Sequence, residues 1–65
     1  MERYEVIKEY NCYSDIYEYT VNWVYKGEIK HTINFSCNND DYELEEMEKF
    51  IKDSYGVDKI DYITR

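Results

Sequence analysis

The chain has 65 residues, fifteen acids against eight bases and a formal net charge of −7. At this length only about 60% of the unfolded chain's surface is buried on folding, so residues 1–65 make at most one domain with an economical core. The charge repels nucleic acid and anionic membranes, which argues against direct binding to either, and no apolar run approaches the ~18 residues of a membrane span.

The N-terminal run Met1-Glu2-Arg3-Tyr4-Glu5 alternates charge with apolar residues and lacks the basic and apolar regions of a signal peptide, so a cytoplasmic location is expected. Residues 3–10 place Tyr4, Val6 and Tyr10 on one face and Glu5 and Glu9 on the other, the pattern of a half-buried strand. Residues 11–15 combine Asn, Ser and Asp, whose side chains bond their own backbone, so a turn follows. Tyr17, Tyr19, Val21, Trp23 and Tyr25 then hold one parity and Glu18, Thr20, Asn22 and Lys26 the other, which predicts a second strand. Gly27 marks a turn. Beyond it, Ile29, His31, Ile33, Phe35 and Cys37 alternate with Lys30, Thr32, Asn34 and Ser36 in a third strand.

Setting Tyr25 opposite Ile29 pairs Trp23 with His31, Val21 with Ile33 and Tyr19 with Phe35 on one apolar side. A two-residue Lys26-Gly27 turn would put Tyr25 opposite Glu28 and scramble those faces, so a loop with an odd residue count is expected. Asn38-Asn39-Asp40-Asp41 is an N-cap cluster, and Glu43 stands three residues after Asp40 as a capping box requires, so a helix starts here. Leu44, Met47, Ile51 and Tyr55 form its core stripe, and Gly56 ends it with Val57 packing back on Ile51. Residues 57–63 form a short last strand with Ile60 and Tyr62 facing the core. The expected fold is α+β in the order β-β-β-α-β: a three-stranded antiparallel meander, one helix across its apolar face, and a fourth strand beside the first or the third.

Catalysis needs convergent, tuned groups, and the chain offers few. Its one histidine, His31, has inward parity opposite Trp23 and reads as a packed sheet residue. Cys12, His31 and Cys37 lack the short spacings of a zinc site, and residues 38–41 lack the glycine and spacing of a calcium loop. Phosphate loops and nucleophile elbows are missing, and the chain is too short to wall off a cleft of several hundred cubic ångströms. An enzyme, a metal and a cofactor are therefore not expected. Cys12 and Cys37 fall at one end of the sheet, where a disulfide stays open, but reduced thiols are expected without an export signal.

Binding has more to work with. Asp40, Asp41, Glu43, Glu45, Glu46 and Glu48 fall within nine residues. On a helix that stretch is about 13 Å long, roughly one charge per 2.2 Å against about 1.7 Å for duplex DNA. The same run also reads as a solvated helix face with a charged first turn. Glu5, Glu9 and Glu18 add a lesser acidic band on the outer face of the sheet. Tyr13, Tyr42 and some strand tyrosines should be exposed, and Tyr beside carboxylate is a good anchor for Arg- and Lys-rich surfaces.

In size, in the acid run from Asp40 to Glu48 and in exposed Tyr, the chain resembles the small acidic anti-defence proteins of phages and mobile elements, among them anti-CRISPR inhibitors and DNA mimics. The resemblance implies an inhibitor that occupies the basic cleft of a nucleic-acid-binding protein or nuclease effector in the host cytoplasm. The expected partner-binding set is Asp40, Asp41, Tyr42, Glu43, Glu45, Glu46 and Glu48, joined by Glu5, Glu9 and Glu18. The alternative is a structural or adaptor module acting through a strand edge or as a homodimer, with Ile7, Ile16 and Val24 as exposed apolar residues on the polar face.

Overall fold

Aromatic and β-branched side chains at period two build the sheet because they fill one face of a pleated surface. The computed structural model describes residues 2–63, so the N-terminal reading that begins at Met1 lies partly outside them. The elements are β1 (Glu2–Asn11), β2 (Ile16–Tyr25), β3 (Glu28–Asn38), α1 (Asp41–Tyr55) and β4 (Asp61–Ile63). The sheet order is β3-β2-β1-β4, antiparallel except for the parallel β1–β4 pair. Of the two seats open to the last strand, β4 takes the one beside β1, which leaves β3 as an edge.

The core is made by Val6, Tyr19, Val21 and Ile51, each at most 1% exposed. Leu44, Met47 and Tyr55 of α1, with Phe35, Val57 and Ile60, pack around it. Full burial of each Val or Ile contributes about 1.5–3 kcal/mol, so these few side chains supply much of a small domain's stability. The helix is held at both ends as its sequence dictates. Asp40 caps it by accepting from Glu43 N at 3.1 Å, and the Glu43 carboxylate accepts from Asn38 N at 3.0 Å. Gly56, at φ 65°, ends it in the left-handed conformation with its N–H on the Lys52 carbonyl.

The hairpin between β2 and β3 departs from expectation. The connection is the two-residue Lys26-Gly27 turn, with φ of 52° and 78°, and Tyr25 stands opposite Glu28 instead of Ile29. The faces are nevertheless kept. Val24 pairs with Ile29 and Trp23 with His31, so a bulge takes up Lys30 and restores the Val21–Ile33 and Tyr19–Phe35 pairs. The odd residue sits in the strand because a turn with two positive φ angles matches the right-handed strand twist, and a bulge then corrects the register.

Four further expectations are corrected. The last strand covers only Asp61–Ile63, and Tyr62 is 54% exposed; its register opposite Lys8 points it to the helix side, but at an edge the helix does not cover. Val57 and Ile60, in the segment before it, do reach the core. His31 pairs with Trp23 but is exposed, because the first five residues of β3 run past the helix. Val24 is only 4% exposed, on the central strand between Arg3 and Ile29, and Ile7 and Ile16 are half-buried, so the apolar homodimer patch they were expected to form is not open.

Candidate functional site

The most deeply set acid of the helix serves the fold. Lys8 shares the parity of Val6 on β1, so its ammonium is carried under the helix, where it needs an anion. Glu48 supplies it: its Oε2 accepts from Lys8 Nζ at 2.9 Å and from the buried Tyr19 hydroxyl at 2.9 Å. The ammonium also lies 4.7 Å from the Tyr17 ring centroid and 5.8 Å from that of Tyr19. Burial would raise the Glu48 carboxyl, but the hydrogen bonds from Lys8 and Tyr19 and the charges of Lys8 and Lys52 outweigh it and hold the group below its ordinary value. Burial and the bond to Glu48 push the Tyr19 hydroxyl up.

The other nine candidate residues divide by what they touch. Asp40 and Glu43 are engaged in capping, although both stay exposed. Glu5 accepts from Arg3 at 2.8 and 3.2 Å. Glu9 and Glu18 face each other directly across β1 and β2, on the outer face as expected. Asp41, Glu45 and Glu46 are exposed, and among the described residues no hydrogen bond or ion pair engages their side chains. They flank Tyr42, which is 72% exposed, and helical spacing puts Asp41 with Glu45 and Tyr42 with Glu46 on adjoining rows.

The capping acids lie at the end of the molecule opposite the hairpin. The turn after β1 is fastened to the segment before α1: Asn39 N donates to the Asp15 carbonyl at 3.2 Å, and Asn39 Nδ2 to Asp15 Oδ1 at 3.1 Å. Tyr10 donates its hydroxyl to the same Asp15 oxygen at 2.5 Å. That bond holds the Asp15 carboxyl below its ordinary value and pushes the Tyr10 hydroxyl up to about 12. Asp15 is thereby held next to the N-cap segment of Asp40 and Asp41, and Tyr13, in the same turn as Asp15, is 98% exposed. Arg3, Lys26 and Lys30 sit at the opposite end, around the hairpin. There Arg3 is paired with Glu5 and Lys30 with Glu28, so the hairpin end is close to neutral.

The cysteines are both free thiols, Cys12 exposed in the turn and Cys37 half-buried. Burial, then the Glu43 charge, raises the Cys37 thiol, so it packs as a small apolar side chain. Among the described residues no group of His, Cys, Asp and Glu is arranged to hold a metal ion. Depressions of several hundred cubic ångströms form, but as open grooves and not as walled clefts. One of about 710 Å³ lies beside Tyr4, Trp23 and Tyr55, and one of about 580 Å³ lies between β3 and α1. The second groove was not anticipated: Phe50, 51% exposed and edge-on to Phe35 at 5.8 Å, stands off the helix core stripe and carries no sequence signal of its own. No protein-family model matches the chain, nor does any curated protein or solved structure.

Proposed function

We propose that the protein is a non-catalytic inhibitor that binds a basic protein surface and blocks the nucleic-acid-binding cleft of a nuclease or related effector, as anti-CRISPR proteins and DNA mimics do. The observation that carries this reading is the set Asp41, Glu45 and Glu46, three carboxylates with no hydrogen-bond or ion-pair partner among the described residues, flanking the exposed Tyr42. Charges that neither cap, pair nor bury are free to meet Lys and Arg, and an exposed ring among them supplies an anchor with little rotamer entropy to lose. Asp15, Asp40 and Glu43 extend the same field, and Glu18 continues it onto the sheet. Glu48 is withdrawn from the contact set, because it is committed to Lys8 and Tyr19.

The experiment is a salt series on the complex with a basic nucleic-acid-binding protein. Affinity should fall steeply as salt rises, and the triple variant Asp41→Lys, Glu45→Lys, Glu46→Lys should bind at least tenfold more weakly while remaining folded. Undiminished inhibition by that variant would rule out the carboxylate mechanism. The adaptor reading keeps one specific support, the open edge of β3, and predicts binding that salt leaves almost unchanged.

A further inference from the structure

Edge strands invite another chain to pair with them, and proteins guard them with charge, proline or bulges. The guards on β3 are unevenly placed. Its first half has Glu28, Lys30 and the bulge, whereas the second half, Ile33, Asn34, Phe35, Ser36, Cys37 and Asn38, contains no charged residue and no proline. The open groove of about 580 Å³ runs along this unguarded half, between the strand edge and α1. Its floor is apolar: Phe35, Cys37, Met47 and the half-exposed Phe50. Its helix-side rim carries Glu43, Glu46 and Tyr42, and no base lines it.

We infer that this edge and groove receive an extended segment of a partner protein whose groove-facing positions, every second residue, are by turns apolar and Lys or Arg, and that it joins the sheet as a strand beside β3. Main-chain pairing supplies affinity independent of sequence, and the groove selects side chains at every second position. An apolar side chain of the guest seats against Phe35 and Phe50. A base two positions along lays its methylene stem on Met47 and reaches Glu46 or Glu43. A second copy of this chain is a poorer occupant, since it brings another −7 of charge and the same acidic rim. The inference rests on the reading that the partner is basic and adds how it is held.

The test titrates the full chain with a synthetic peptide, Thr-Val-Thr-Arg-Thr-Val-Thr-Lys, in which Val and base follow each other on one face, and with its acidic counterpart in which every base is Glu, following backbone amides by NMR and hydrogen exchange. Shifts and new protection should concentrate at Ile33–Asn38 and around Phe50, and binding should weaken about tenfold in Phe50→Ala and again in Glu46→Lys. Phe50 is exposed enough that its loss leaves the core intact, and Glu46→Lys preserves the groove while reversing its rim. Binding that moves Asp41, Tyr42 and Glu45 but leaves Ile33–Asn38 unshifted would overturn the strand-addition mode and leave the acidic-inhibitor reading standing. Failure of any basic peptide to bind at low salt would overturn both. Equal binding of the acidic peptide, or protection of the same amides by self-association, would overturn the assignment of a basic occupant.

Discussion

The Tyr19 hydroxyl donates to Glu48 Oε2 at 2.9 Å from a ring with no exposed surface, and that one bond ties the central strand to the helix. Glu48 therefore belongs to the core although the acids before it on the helix, Glu45 and Glu46, face solvent. Tyr19→Phe, which leaves Glu48 its bond from Lys8, should cost about 0.5–1.5 kcal/mol. Glu48→Ala, which strands the Lys8 ammonium among rings, should cost about 1–3 kcal/mol, less than a fully buried pair because Lys8 and Glu48 keep 20% and 28% of their side-chain exposure. Urea denaturation of both variants checks the order.

Stability should fall at both extremes of pH. The depressed Glu48 and Asp15 carboxyls contribute stability present above the ordinary carboxylate range near ~4 and lost as pH falls through their folded values. The raised Tyr10 hydroxyl contributes below its ordinary value of 10.0, and the contribution is lost as pH climbs toward about 12. Denaturation midpoints across pH should show a shallower acid limb in Glu48→Gln and a shallower alkaline limb in Tyr10→Phe.

The hairpin gives a backbone prediction. Lys26 adopts φ 52°, costly for a residue with a long side chain, whereas Asn tolerates it. Lys26→Asn should raise stability by about 0.5–1 kcal/mol, and Gly27→Ala should lower it by about 1–2 kcal/mol through strain alone, since a Cβ at Gly27 would meet nothing within 4 Å. Thermal unfolding of the two variants in opposite directions is the expected result.

Glu9 and Glu18 stand directly opposite each other, and like charges so placed repel. Glu18→Lys should stabilise the protein by about 0.2–1 kcal/mol while weakening its grip on a basic partner, so stability and affinity should move in opposite senses.

The architecture was legible because period-two aromatics, a capping box and a terminal glycine each act locally. The pairs Trp23–His31, Val21–Ile33 and Tyr19–Phe35 follow from parity alone, and only the place of the odd residue was misjudged, since side-chain alternation does not distinguish a wider loop from a bulge. The acids were harder. Asp40 and Glu43 announce their capping role, but Glu48 looks like one more surface acid until Lys8 is counted on the apolar parity of β1. That base was the available signal, because a base placed under a helix requires an acid above it. The groove beside β3 was not legible, since it depends on β4 choosing the far edge and on Phe50 standing outside the core stripe.

The most direct measurement of the central claim is competition. With a nuclease or other nucleic-acid-binding protein that the chain inhibits, labelled duplex bound to that partner should be displaced by the chain at one-to-one stoichiometry, and the Asp41→Lys, Glu45→Lys, Glu46→Lys variant should fail to displace it. A ternary complex, with duplex and chain on the partner together and neither weakening the other, would contradict the account.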